Sequence, residues 1–212
     1  MTSLQVAIDV LPLDELESTV GPLLDHVDVL EAGTPFIKMY GLGVVRRLRA
    51  LGPGHLIVAD MKAMDAGALE ANMAFDAGAD VITVLACAGD ATIEGAVRVA
   101  NDRGKRVVCD LIGVPDKVAR ARQLAGLGVH MVGVHTGTDD QARGADPLAD
   151  LAAITGAVDL PVVVAGGINA TTLPAILGYG PAIVISGSGI LGQADPVAAA
   201  KALHDAIGAS RS

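Results

Sequence analysis

Short apolar segments that return at regular intervals, each followed by a stretch of helical character, constrain this chain more than any other feature. Leu4–Val10, Asp28–Gly33, Leu56–Asp60, Asp80–Leu85, Arg106–Leu111, Met131–His135, Pro161–Ala165 and Ala182–Ser186 are rich in Val, Ile and Leu and carry no sustained polar alternation. Such runs read as strands of a parallel sheet, because only a sheet covered on both faces hides successive apolar neighbours. Between them, Ala66–Ala77 and Thr92–Arg103 place apolar residues at helical spacing. Asp146-Pro147 and Asp195-Pro196 read as N-caps followed by proline at the first helical position. Gly104, Gly128 and Gly178 stand where glycine ends a helix.

Strand–helix repeats without a linker or composition break, in a chain of 212 residues, predict a single α/β unit over 1–212. Strict alternation gives a parallel sheet wrapped by helices. The polar residues decide between an open sheet and a closed ring. Asp9, Glu31, Asp60, Asp110 and His135 fall near the C-terminal ends of the first, second, third, fifth and sixth segments. In an open sheet the outer members lie too far apart to cooperate. In a closed (β/α)8 TIM barrel those ends converge on one mouth, where barrels of this kind carry their active sites. The expected fold is therefore a (β/α)8 barrel.

Charge and composition narrow the chemistry. A formal charge of −9 and 2% aromatic residues argue against nucleic acid, which needs cationic phosphate contacts and stacking platforms. The cluster Arg46-Arg47-Leu48-Arg49 is expected to be the solvated last turn of a helix. No apolar run approaches the ~18 residues needed to span a bilayer, and MTSLQVAIDV lacks the basic n-region of a signal peptide. A soluble, mature, cytoplasmic protein without membrane partners is the expectation. Cys87 and Cys109 have no CxxC spacing and are expected to be buried free thiols.

Three ionisable groups, Asp60, Lys62 and Asp65, follow directly on the apolar run His55–Ala59. A carboxylate, an ammonium and a second carboxylate this close shift one another's pKa values and suit catalysis; a surface salt bridge is the structural alternative. Asp9 is equally an N-cap candidate, and His135 a hydrogen-bonded core histidine, but at a barrel mouth an imidazole is suited to move a proton. Glu31 and Asp60 lie on adjacent strands, so two hard oxygen donors without His or Cys partners suit Mg²⁺, with Lys62 as the other source of compensating charge. VVVAGGIN and VISGSGIL follow the seventh and eighth strands, where barrels bind phosphate, so Gly166, Gly167, Gly187 and Ser188 are expected around an anion. Lys38 in TPFIKMYG is expected to be an exposed helix residue.

ADMKAMDAG, with LEAGTP before it and VDLIGV, VHTG and VAGGI after it, resembles the 3-hexulose-6-phosphate synthase family of the orotidine 5′-phosphate decarboxylase superfamily, from Leu4 to about Ile207. The resemblance implies a (β/α)8 homodimer that joins formaldehyde to D-ribulose 5-phosphate, reversibly, with Mg²⁺ and through an enediolate. It implies Asp60, Lys62 and Asp65 in the DxKxxD motif, with Asp65 reaching the neighbouring subunit's site. It further implies Glu31 and Asp60 on the metal, Asp9 and Asp110 on the substrate, and His135 as the proton-exchanging group, with Lys62 the alternative base. The Ala66–Ala77 helix and the 35–43 segment are the expected dimer interface. A related family, the 3-keto-L-gulonate 6-phosphate decarboxylases, shares most of these positions but carries arginines at the positions of Thr138 and Ser188 and a glutamate at that of Asp110. A non-catalytic phosphosugar-binding barrel is the third reading.

Overall fold

The computed structural model describes residues 2–210, so residues 1, 211 and 212 of the expected unit lie outside the description. Eight strands, β1 (Ser3–Ile8), β2 (Val29–Ala32), β3 (Leu56–Ala63), β4 (Val81–Leu85), β5 (Arg106–Asp110), β6 (Met131–His135), β7 (Val162–Ala165) and β8 (Ile183–Ser186), follow the expected segments closely. They pair in sequence order, all in parallel, and the ring closes where Val6 of β1 registers with Ser186 of β8. The fold is a (β/α)8 barrel.

Successive residues of each strand face opposite ways. Leu4, Val6 and Ile8 of β1, with Leu30, Ile57, Ile82, Val107, Val132, Val164 and Val184, join the large apolar core between the sheet and its helices. The intervening positions face the axis. Val29, Val58, Val81, Val108, Met131 and Val163 form a second, separate cluster inside the ring, with Ile183 and Ile185 packed against it. Above that layer the same inward parity delivers Glu31, Asp60, Thr83, Asp110 and His135 to the mouth.

The helix Gly67–Asp76 begins after Ala66, which adopts a left-handed φ of 51°. A Cβ on Gly67 would sit 2.0 Å from the Thr92 carbonyl, so glycine is what lets this helix lie against its neighbour Asp90–Asp102. Asp195 caps Pro196–Ala209 as expected, accepting from the Ala198 N–H. The other expected cap differs: Pro147 itself is the N-cap of Leu148–Thr155, and Asp146 accepts from the Leu148 N–H one position earlier than a cap would. Gly104 and Gly128 have the left-handed φ of helix ends, whereas Gly178 remains right-handed and Gly180 takes the turn.

The arginine cluster is only partly solvated. Arg46 is exposed and Arg47 pairs with Glu17, but Arg49 is half-buried and donates to the Gly78, Pro53 and His55 carbonyls. Arg49 also pairs with Asp80, whose carboxylate accepts from Lys105 Nζ at 2.7 Å and the Ile57 N–H at 2.9 Å. Asp80 thus ties the strand starts of β3, β4 and β5 to the preceding helix. The cysteine expectation holds for Cys109, whose burial pushes its thiol up to about 12. Cys87 is exposed, because its segment leaves the sheet after Leu85.

Partial burial raises the Asp80 carboxyl, but the Lys105 and Ile57 hydrogen bonds and the Arg49 charge outweigh it and hold it below its ordinary value. Its contribution to stability is therefore present above the unfolded pKa and lost as pH falls through the lower folded one. Asp80→Ala should destabilise the protein by about 2 kcal/mol in urea titrations at pH 7, the scale of hydrogen bonds to a charged group. The difference from wild type should shrink in acid; equal midpoints at pH 7 would mean that the network holds nothing.

Candidate active site

Strand β3 carries an irregularity beside the mouth. Its pairing with β4 slips between Ala59 and Ala63, and within the slip Lys62 adopts φ 46°, a left-handed conformation rare outside glycine. The Lys62 N–H donates to Thr83 Oγ1 at 2.9 Å, which helps hold the turn. Asp60 and Lys62, two apart on β3, share its inward parity and both reach the cavity side. A backbone in this region carries strain of about 1–3 kcal/mol, characteristic of functional sites.

A chain of charged contacts follows. Lys62 Nζ lies 3.0 and 2.9 Å from the two Asp60 oxygens and 3.1 Å from Asp110 Oδ2. Asp110 Oδ2 also accepts from His135 Nδ1 at 3.0 Å, while its Oδ1 accepts from the Ile112 N–H. On Asp60, Oδ1 accepts from the Thr83 hydroxyl at 2.6 Å and Oδ2 lies 2.7 Å from that of Thr34. Burial alone would lower the Lys62 pKa, but Asp60 and Asp110 together raise it well above the usual lysine value. Burial works in the opposite sense on Asp110, yet the His135 hydrogen bond and the neighbouring cations keep its carboxyl below the ordinary range. An ionised Asp110 fixes the proton of His135 on Nδ1, leaving Nε2 as the nitrogen able to accept one.

Glu31 and Asp9 complete the acidic side. Glu31 is buried and accepts from Gln5 Nε2 at 2.5 Å. Burial, then repulsion from Asp60, raises its carboxyl well above the usual range. Asp9 is raised for the same two reasons, in the same order. Gly33 makes room for Asp9: a Cβ there would stand 2.1 Å from its Oδ1. A hard divalent cation fits this donor set, because Gln5 engages only Oε2 of Glu31 and a cation would reverse the repulsion that neutralises it. No group of three or more His, Cys, Asp or Glu suited to a metal exists among the described residues, so further ligands would come from water or substrate.

Opposite the acids, Gly166, Gly167, Gly187 and Ser188 line the same cavity of about 270 Å³. Gly166 has φ 118°, and a Cβ on it would meet the Thr136 carbonyl at 2.7 Å. The Ser186 hydroxyl donates to the Ile168 carbonyl at 2.7 Å, and a Cβ on Gly189 would come within 2.1 Å of that same oxygen. The two glycine loops therefore pack directly on each other and present backbone to the cavity.

All the sequence-predicted residues except Asp65 line this one cavity. Asp65 is exposed beside it, accepting from the Ala66 N–H. Lys38 is exposed on the helix Thr34–Tyr40, as expected. Sequence reasoning missed Gln5, Thr34, Thr83 and Gln141. Gln5 and Thr83 share the inward parity of Glu31 and Asp60, which was a usable signal. Gln141 donates to the Thr136 carbonyl at 2.7 Å and gives no such pattern in the chain. Asp110, expected on the substrate, lines the cavity and also joins His135 to Lys62.

Comparison with known proteins agrees with this arrangement. The family model for orotidine 5′-phosphate decarboxylase / HUMPS matches residues 2–203. The 3-hexulose-6-phosphate synthase of Mycobacterium gastri is 45% identical over 96% of this chain and 99% of its own. The crystal structure of 3-hexulose-6-phosphate synthase from Salmonella typhimurium superposes with a TM-score of 0.96 at 38% identity, covering 98% of this chain and 99% of that one. The structure of 3-keto-L-gulonate-6-phosphate decarboxylase from Vibrio cholerae matches at 28% identity with a TM-score of 0.85, covering 98% of each chain. By the extent of the family match and the identity to these relatives, the chain belongs to the orotidine 5′-phosphate decarboxylase / HUMPS family.

Proposed function

We propose that this enzyme condenses formaldehyde with D-ribulose 5-phosphate to give D-arabino-hex-3-ulose 6-phosphate, reversibly, as a 3-hexulose-6-phosphate synthase. The observation that carries the reading is the Lys62–Asp110–His135 chain in one cavity with Glu31, Asp60 and two packed glycine loops, in a chain 45% identical to a named synthase. His135, with Nδ1 held by Asp110, removes the proton from the sugar carbon through Nε2. Lys62 is held protonated and so serves as positive charge beside the enediolate rather than as the base. Glycine loops after β7 and β8 hold the phosphate, and Asp9 binds sugar hydroxyls. Mg²⁺ on Glu31 and Asp60 would supply further positive charge opposite the developing oxyanion.

The second reading, decarboxylation of 3-keto-L-gulonate 6-phosphate, rests on the 28% identical decarboxylase structure. Thr138 and Ser188 leave the cavity without the arginines that family places there. A homodimer is supported by exposed apolar side chains on the elements after β2 and β3, namely Met39, Tyr40, Met64, Leu69 and Met73. Asp65 is exposed beside them and would complete the partner subunit's site. Among the described residues no helix is long and apolar enough to cross a membrane, and two free thiols suit a reducing cytoplasm.

Purified protein should consume formaldehyde only with ribulose 5-phosphate and a divalent cation present, and should release no CO₂ from 3-keto-L-gulonate 6-phosphate. The raised Glu31 carboxyl means stability falls as pH rises from its unfolded pKa toward its higher folded one. Glu31→Gln should therefore raise the melting temperature at pH 7 by ~2–4 °C, the shift expected per kcal/mol at this size. Mg²⁺ should stabilise wild type but not this variant; equal stabilisation of both would remove Glu31 from the metal.

Asp110→Asn should lower kcat by about 10²–10⁴, the range for a mispositioned proton-transfer group, with the sugar KM near wild type. A rise in KM alone would instead place Asp110 on the substrate. Dilution below the dimer dissociation constant should abolish turnover in step with monomer formation, measured by light scattering and assay on the same samples. An active monomer would sink the shared site.

A further inference from the structure

The cavity that carries the acids and His135 does not end at them. Val29, Leu56, Val81, Arg106, Met131 and Ile183 also line it, and these are the first residues of β2, β3, β4, β5, β6 and β8. They lie at the opposite end of the ring from the mouth. Leu56 and Arg106 are exposed there. Between the two ends, the inward cluster keeps a trace of accessibility: Val58 is 3%, Val163 4% and Val108 6% exposed, against 0% for the outward neighbours Ile57, Ile82, Val107 and Val132. Barrels of this class fill their axis with bulky side chains in layers. Here the layer is mostly valine, and at the next level β6 contributes Gly133, level with Asp110.

We propose that this bore is a binding and entry path for formaldehyde in its carbonyl form, separate from the mouth by which the sugar phosphate enters. The assignment rests on the synthase reading above and adds the route and the chemical form of the electrophile. A phosphosugar does not fit the bore, because its charge would be left unpaired among hydrocarbon walls. Formaldehyde is neutral and has one weak acceptor and no donor. Its hydrate, the dominant form in water, has two hydroxyls that would lose their partners among the valines. The wall therefore selects the carbonyl over the diol. The hydrate loses its water in bulk solvent, and only the carbonyl enters. At the top of the bore the carbon–carbon bond forms to the carbonyl carbon. Its π electrons pass to oxygen, which takes up the proton removed from the sugar.

Two variants narrow the bore. Val81→Phe places a ring in the apolar layer. Gly133→Ala adds one methyl at 3.4–3.5 Å from Asp110 Cα, Val108 Cγ1 and Val163 Cγ2, ordinary contact distances that the fold accommodates. With ribulose 5-phosphate saturating, Val81→Phe should raise the formaldehyde KM about tenfold, the scale of a misfitted hydrophobic pocket. Gly133→Ala should raise it less, and the KM for the sugar should stay at the wild-type value in both. Xenon-pressurised crystals should show density inside the valine ring of wild type and none in Val81→Phe. A folded Val81→Phe with both KM values unchanged, or a wild-type ring without xenon, overturns the path. If Val81→Phe does not fold, an unchanged formaldehyde KM in Gly133→Ala overturns it equally. Wild type that consumes no formaldehyde, yet holds xenon in the ring, overturns the synthase reading and its electrophile while leaving the bore in place.

Discussion

The structure depends on how a single ammonium is shared among buried carboxylates. Glu31, Asp60 and Asp110 are all nearly inaccessible to water, and Lys62 alone among the cavity's mouth residues brings a permanent positive charge to them. Isolated buried carboxylates are expensive, so each must be paired, hydrogen-bonded or protonated. Asp60 and Asp110 are satisfied by Lys62, two hydroxyls, a backbone N–H and His135. Glu31 is left with one amide and the neighbouring Asp60 charge, and its carboxyl rises accordingly. The same shortage of positive charge that raises the Glu31 carboxyl makes the site receptive to a cation. Stability and function pull in opposite directions at this residue.

Much of this was legible in the chain because strand parity and ring closure are simple rules. Leu4, Val6 and Ile8 pack outward while Gln5 and Ala7 face the axis, and that alternation continues into Asp9. Once the segments close into a ring, acids 9, 31, 60 and 110 and the imidazole at 135 must meet. What could not be read was everything set by irregular backbone. The slip in β3 and the backbone turn at Lys62 have no composition signal, since lysine is not a residue that favours a left-handed φ. A carboxylate at a strand end such as Asp110 gives no sign of which protein neighbours it will bind. Only the folded chain brings His135 and Lys62 to the same oxygen.

Two expectations failed, for different reasons. Arg49 was expected in water, but the carbonyls of Gly78, Pro53 and His55 and the Asp80 carboxylate converge on it from other parts of the chain. Cys87 was expected in the core because its neighbours are apolar, but the strand ends at Leu85 and the thiol emerges. For Arg49 local composition was overruled by the carbonyls and carboxylate that the fold gathers around it, and for Cys87 by where the strand ends. The reverse holds for Gly33, Gly67 and Gly189: each is required by one neighbouring atom at about 2 Å from where a Cβ would be, so their importance is visible only once the chain is folded.

Ring closure between β1 and β8 has a consequence for how such a protein is made. Strand β1 pairs along one edge with β8, whose residues 183–186 leave the ribosome long after it. Until those residues emerge, the nascent chain holds an incomplete parallel sheet with two open edges, the kind of surface that recruits other unfolded chains. Synthesis must therefore pass residue 186 before both edges are covered, and truncation within β8 leaves an aggregation-prone fragment rather than a smaller enzyme.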